Sequence, residues 1–453
     1  MRTFRWLGIT VAVVLVLVVV AGGIGTWWLN GYIHSGAFRQ EVETRASQSL
    51  GGTVQVDKVD FGFLTGVKLH GLVTQLDPAH SGGVGALQIQ VEEVNCAYAW
   101  TELLSGRLKL TGVTLDKPQI ILTKQETAPL APNPAPSGTS GNSGTATAGG
   151  SAPGKSMPFQ FTLDRAKISD GTVSVRDEDG TSLVDLTGLN IAANTAGYTE
   201  DKDVTGTLKI AAINLPSNLQ VTNFSTPFTY RTGDVEAKPF DATAFAGKLA
   251  GDYQLATGPS ILNVNAKGLD VAKIFAVALT NSSAQLTGTL DLQSKWRGVE
   301  SGTIDGEGDL QLANSKLSGV KVLHEVSQIL KIKELDQPVI KSGQTHFVVA
   351  NQQVRLTGLQ LDATVFRLTG DGTIDFNTNL NLNLVLILNS DTMGKLPKEI
   401  AGSFVQAQDG TGSISFQVTG TVDNPQTNLA MRLLMQNTKI KNVIDKALNK
   451  FFH

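Results

Sequence analysis

Residues able to do chemistry are sparse in this chain and rarely spaced to act together. Six histidines stand at positions 34, 70, 80, 324, 346 and 453, and none has a second histidine at metal-ligand spacing. His324-Glu325 opens like a zinc-protease helix, but the i+4 position holds Gln328, so the pair reads as a surface or helix-cap histidine. Gly306-Glu307-Gly308 lacks the third glycine of a dinucleotide turn, and Gly141-Asn142-Ser143-Gly144 lies in a low-complexity stretch. No G-x-S-x-G elbow and no phosphate-binding loop occurs. The acidic run Asp177-Glu178-Asp179-Gly180 lacks the alternating carboxylates of a calcium loop and reads as a turn between strands. Cys96 is the only cysteine, which rules out an intrachain disulfide and leaves thiol-based metal chemistry almost nothing to work with. Carboxylates from distant turns can still meet in space, so a hydrolase remains the third reading. The residues favour a protein that is not an enzyme and holds no cofactor.

The whole chain narrows the class further. Its 453 residues, 41% hydrophobic, suffice for one large or two ordinary domains. With 37 basic and 40 acidic side chains, and no basic run interleaved with aromatics, nothing draws the chain to nucleic acid. Forty-seven glycines beside 6% aromatics suit many short strands, tight turns and an aliphatic interior.

The N-terminus is a candidate membrane anchor. Val11 to Val20 contains no polar side chain, and the apolar stretch from Trp6 to Leu29 is about two dozen residues, enough to cross a bilayer. Arg2 and Arg5 precede it, no acid comes before Glu41, and Trp6, Trp27 and Trp28 sit where the two interfaces would fall. The expectation is a single-pass inner-membrane protein with a cytoplasmic stub and its bulk outside. A cleaved signal peptide competes, but the run is long and no A-x-A site follows it. Next comes a short helix capped by Ser35, with Phe38, Val42, Ala46 and Leu50 on one face.

From Gly52 onward the signal is alternation. Val54 and Val56, then Phe61 and Phe63, then Val67 and Leu69 read as strands with one wet and one dry side. A helical turn is expected at Trp100–Leu104, and helices near Val271–Leu279 and Val320–Leu330. The clearest strand sets Leu380, Leu382, Leu384, Leu386 and Leu388 in a row, with Ile414, Phe416 and Val418 following. Residues 127–158 are so rich in Pro, Gly, Ser, Thr and Ala that they read as a linker or disordered loop. The organisation expected is therefore 1–30 stub and anchor, 31–126 an N-terminal β module, 127–158 linker, 159–436 an elongated β-sheet domain. Residues 437–453 close it as a basic amphipathic helix, with Ile440, Val443, Ile444, Leu448 and Phe451 on one face.

Such strands are dry on one face only, and the helices are too few to cover them. Either sheets pack as a sandwich, or one long, twisted, curled antiparallel sheet forms a groove. The aliphatic lining and the adjacent bilayer favour the groove, with acyl chains as its occupant. Its candidate lining is Val54, Val56, Phe61, Phe63, Leu380, Leu382, Leu384, Leu386, Leu388, Ile414, Phe416 and Val418.

Several segments together carry a resemblance. They are Leu50-Gly51-Gly52-Thr53-Val54; Trp100-Thr101-Glu102-Leu103-Leu104-Ser105-Gly106-Arg107-Leu108; Asp116-Lys117-Pro118-Gln119-Ile120; Ile168-Ser169-Asp170-Gly171-Thr172-Val173; Ala246-Gly247-Lys248-Leu249-Ala250-Gly251; and Thr419-Gly420-Thr421-Val422-Asp423-Asn424-Pro425. In that order, behind an apolar N-terminus, the chain resembles the AsmA family over essentially its whole length. The resemblance implies kinship with bridge-like lipid transfer proteins and a chorein-like N-terminal module. It also implies a periplasmic role in outer-membrane biogenesis, with phospholipid moving between inner and outer membranes. The chain is shorter than the family's long members, which sets a continuous single-copy bridge against a shuttle or a partner-completed conduit. The alternative, from another class, is an assembly or regulatory factor that contacts outer-membrane or biogenesis proteins through strand edges.

Overall fold

The computed structural model describes residues 39–124 and 161–435, apart from short stretches within each. The fold is mainly β, with a few short helices. The chain divides into two compact units, Met1–Pro216 with Thr229–Thr232, and Ser217–Phe228 with Gly233–His453.

In the first unit, β1 (Gly52–Gly62), β2 (Gly66–Leu76) and β3 (Ala86–Tyr98) form an antiparallel meander. Its free edge is covered locally. Helical residues Glu43 and Ser47 accept the outward N–H groups of Val56 and Val54, each at 2.9 Å, which denies that edge to another strand. The helical turn α1 (Trp100–Leu103) leads to β4 (Leu108–Asp116) and β5 (Gln119–Thr123), which lie end to end along β3. Pro118 has no N–H for the ladder and Lys117 takes φ 46°, so the strand breaks there.

The next two strands, β6 (Phe161–Leu163) and β7 (Arg165–Arg176), run parallel to β4 and β5, with Leu108 opposite Phe161 and Leu122 opposite Val175. A sheet expected to be antiparallel throughout is therefore mixed. The reason is the connection: a hairpin reverses the chain within a few residues, whereas 125–160 is long enough to carry it back and start again in the same direction. The strands flanking the proposed linker 127–158 thus share one sheet, and the compact division falls at Pro216. β8 (Ser182–Asn194) and β9 (Val204–Leu215) complete the unit, and Asp177–Gly180 is the β7–β8 turn.

The second unit includes most of β10 (Leu219–Arg231), followed by an antiparallel meander. It runs through β11 (Asp234–Ala244), β12 (Gly247–Leu255), β13 (Ile261–Asp270), β14 (Gln285–Arg297), β15 (Asp305–Ser318), β16 (Val339–Ala350), β17 (Gln353–Ala363), β18 (Phe366–Asp375) and β19 (Leu380–Leu388). Three strands close it. β21 (Gly412–Gly420) pairs with β19 on one edge, and on the other with the short β20 (Val405–Gln406) and β22 (Pro425–Thr427).

The helices α2 (Val271–Ala278), α3 (Lys321–Leu330), α4 (Ser390–Lys395) and α5 (Lys398–Ala401) all leave from one rim of this sheet, and α6 (Leu429–Met435) follows β22. Asp270 starts α2 by accepting the Ala272 N–H at 3.0 Å, and Asn389 caps α4 by accepting from Thr392 at 2.8 Å.

Candidate functional site

Register alone assembles a one-sided apolar face across the second unit. Directly opposed residues share a side of a sheet, so Leu249, Ala266, Leu292 and Leu310 form one row, and Tyr253, Leu262 and Trp296 another. Further along, Val354 meets Ile374 and Leu380, and Leu368 meets Leu386 and Ile414. The opposite side is polar: Asp291, Gln293, Asp309, Gln311 and Gln344 alternate with the apolar set and face water.

Glycines shape the apolar side. A Cβ on Gly306 would lie 2.3 Å from Trp296 Cε3, one on Gly308 2.8 Å from Phe347 Cζ, and one on Gly251 2.7 Å from Phe240 Cζ. Each large side chain lies flat over the bare backbone of its neighbour. Trp296 is held further by Nε1 donating to Ser294 Oγ at 2.9 Å and by Phe347, ring centroid 6.1 Å away. Phe224 and Phe240 stack at 5.8 Å.

Exposure divides this face. At its C-terminal end Phe366, Leu384, Leu386, Leu388, Ile414 and Phe416 are buried under Val326 and Leu330 of α3, Met393 of α4, Leu396, Phe404, and Leu429 and Leu433 of α6. Near α2, Val271 packs with Leu312 and Ile340. Outside these covers Leu262, Val264, Leu292, Trp296, Leu310, Val354 and Leu356 are only half-buried, and neither covered cluster includes Leu262 or Trp296.

Polar atoms on the apolar side are turned inward. Thr345 Oγ1 donates to Thr357 O at 3.2 Å and Ser315 Oγ to Ala313 O at 3.1 Å, so the buried hydroxyls satisfy backbone carbonyls. The charged groups stay outside. His70 lies 3.1 Å from Asp60, His346 3.0 Å from Asp309 and His324 3.0 Å from Asp336, each pair partly exposed. Among the described residues no group of three or more His, Cys, Asp or Glu is placed to hold a metal. A shallow cavity of about 540 Å³ at β10–β13 is lined by Asn223, Asp241, Thr243, Lys248, Asn265 and Lys267, which belong mainly to the polar side.

In the first unit the dry side is closed along β1–β5: Val56, Leu69, Leu72, Val94 and Ile120 are at most 5% exposed. Cys96 lies there too, and burial pushes its thiol up to about 12. Thr74, wholly buried between Val54 and Ile89 in register, has no partner for its hydroxyl among the described residues. Along β7–β9 the same side opens, with Ile168, Leu186, Ile191 and Leu208 half-buried.

The residues expected to line a groove fall into separate groups. Val54 and Val56 are buried in β1, where the side chain of Phe61 lies outside the description, as does Phe63 entirely. Leu384, Leu386, Leu388, Ile414, Phe416 and Val418 are at most 9% exposed and belong to the covered end; Leu380 and Leu382 pack at its margin. The half-open residues of β13–β15 escaped sequence reading, although the alternation from Gln285 to Arg297 carried the signal. The expected anchor with Trp6, Val11, Val20, Trp27 and Trp28, and the C-terminal helix 437–453, lie outside the described residues. Among the described residues no helix is long and apolar enough to cross a membrane. No protein-family model, no curated protein and no solved structure matches the chain.

Proposed function

We propose that the protein is a membrane-anchored periplasmic scaffold that binds phospholipid acyl chains and passes them between inner and outer membranes, supporting outer-membrane biogenesis. The observation that carries this reading is the apolar side of β12–β17, on which Leu262, Val264, Leu292, Trp296, Leu310 and Val354 stay half-open while the charged side chains of these strands alternate onto the other side. Contiguous apolar surface left partly open marks a binding surface. Acyl chains suit it, because the buried hydroxyls already satisfy backbone carbonyls and few remain to orient a polar ligand. The headgroup would then stay at the rim, in water. A curl of the sheet into a groove would shield the tails, and the apolar run 6–29 would hold the mouth beside a bilayer. The AsmA resemblance agrees with both.

The test uses the full chain, extracted with its membrane and exchanged into vesicles. A photo-crosslinking residue at Leu292 should yield phospholipid adducts, and Val264→Asp with Leu292→Asp should lose copurifying phospholipid while the chain stays folded. A folded, lipid-free chain whose Leu292 probe captures only outer-membrane or biogenesis proteins would favour the assembly-factor reading instead.

A further inference from the structure

The lipid-binding reading leaves the covered end of the face unexplained. Leu384, Leu386 and Leu388 lie on the same side of the sheet as the half-open residues: the row of Val354 and Ile374 reaches β19 at Leu380, at the margin of the covered cluster, and Leu386 is joined through Leu368, Leu361 and Gly343 to Leu312. Strand geometry does not set them apart. They are inaccessible only because α3–α6 lie on them.

Three features of that cover distinguish it from a built-in second layer. First, α4 and α5 are six and four residues long, too short to hold helical form without the packing they make. Second, their contact with the sheet is apolar side chain on apolar side chain, such as Met393 and Leu396 in the Leu388 cluster. Such contact is non-directional and can be replaced by any surface of similar apolarity. The buried polar tie described in this region, Ser403 Oγ donating to Leu433 O at 2.9 Å, joins parts of the cover to each other, and the ties to the sheet stand exposed at the cover's ends, with Asn428 Oδ1 accepting from Gln417 N at 2.8 Å and Asn389 Nδ2 donating to Thr364 O at 3.2 Å. Third, small or turn-forming residues punctuate the cover between β19 and β20, with Gly394 inside α4, Pro397 before α5 and Gly402 after it.

We propose that α4–α6, with α3 beside them, form a displaceable cover: an acyl chain advancing along the face takes the place of Met393, Leu396 and Leu433 on the Leu384–Leu388 row. In the unloaded protein the cover keeps that row dry. Loading opens the far end, so the apolar path lengthens only when cargo is present.

A disulfide can lock the cover down. A Cβ on Gly412 would lie 2.4 Å from Met393 Sδ, so Met393→Cys vacates the space while Gly412→Cys fills it and brings the two thiols together. The native Cys96 is buried and does not compete. The full-length double variant is incubated with phosphatidylethanolamine–phosphatidylglycerol vesicles carrying a trace of phospholipid with a diazirine in its acyl chain, then irradiated and mapped by peptide mass spectrometry. Reduced, it should be labelled in both 285–297 and 380–388. Oxidised, it should keep the first and lose the second. Labelling of 285–297 with 380–388 never labelled, or labelled equally in both redox states, overturns the cover while leaving lipid binding intact; no labelling anywhere overturns both. Should the variant fail to fold, the wild-type chain serves. Amides in 390–401 should exchange faster on vesicles than without them, and unchanged exchange there refutes the proposal.

Discussion

Truncating Leu388 and Leu292 to alanine, one at a time, asks whether the two parts of the apolar face differ as their exposures say. Leu388 is 0% exposed, between the sheet and the cluster that contains Leu330, Leu335 and Leu429. Removing its isopropyl group forfeits the transfer free energy of a fully buried side chain and leaves a cavity that the surrounding strands cannot collapse, about 3–4 kcal/mol in all. Leu292 is half-buried on an open face, so truncation loses part of the transfer free energy and creates no closed void, about 1 kcal/mol. Because the chain has two compact units, one melting temperature would not report a defined stability. Native-state hydrogen exchange of peptides 380–388 and 285–297, both in the second unit, does, strand by strand. Leu388→Ala should raise the open population around β19 by roughly 150- to 900-fold, and Leu292→Ala that around β14 by about fivefold. Equal losses near 3 kcal/mol at both positions would mean that the middle of the face is as dry as its end. The lipid-binding proposal would then lose its foundation.

Four further outcomes follow from single residues. Thr74→Val should stabilise the first unit by about 1 kcal/mol, because a buried hydroxyl without a partner is replaced by a methyl; urea unfolding followed at β2 would show it, and a loss would mean the hydroxyl is satisfied. Cys96, with its thiol pushed up to about 12, should resist maleimide at pH 8 in the native chain and react fully in denaturant. Gly306→Val should drive the Trp296 indole off the backbone beneath it, red-shifting its fluorescence in a chain whose other tryptophans are phenylalanine. Asp185 is held below the ordinary carboxylate value of 3.8, first by the hydroxyl of Ser174 at 2.6 Å and then by Ser182, against an opposing effect of burial that is larger than the further lowering by the charge of Arg176. Its contribution is therefore present above pH 3.8 and lost as pH falls through the lowered value. Asp185→Asn should cost at most about 1 kcal/mol at pH 7 and nothing in strong acid, by acid titration of stability.

Alternation made the strands legible because a period of two matches the pleat of a strand and no helix. The row from Leu380 to Leu388 is β19 to the residue, and the helices expected near Val271, Val320 and Trp100 are α2, α3 and α1. What sequence could not supply was partnership. A leucine row looks the same whether helices, another sheet, lipid or water faces it, so the most leucine-rich strand was expected to be open and lies in the most covered part of the face. The less dense β13–β15, where Ser294 and Gly308 interrupt the pattern, is the half-open part. The parallel pairing of β5 with β7 was hidden for a different reason. Direction is decided by where a connection returns, and the composition of 125–160 says nothing of that.

The meander of the second unit also acts as a ruler. Each strand widens the face by about 4.8 Å, and a strand can join only with its hairpin partner if the helix-bearing connections are to keep to one rim. The face should therefore lengthen or shorten in steps of about 9.6 Å, by whole hairpins, with the apolar and polar sides conserved at every step. Duplicating the hairpin Gln353–Asp375, whose turn is only Thr364-Val365, should give a longer chain with the same two-sided pattern. Inserting a single residue into β17 would turn the rest of that strand over.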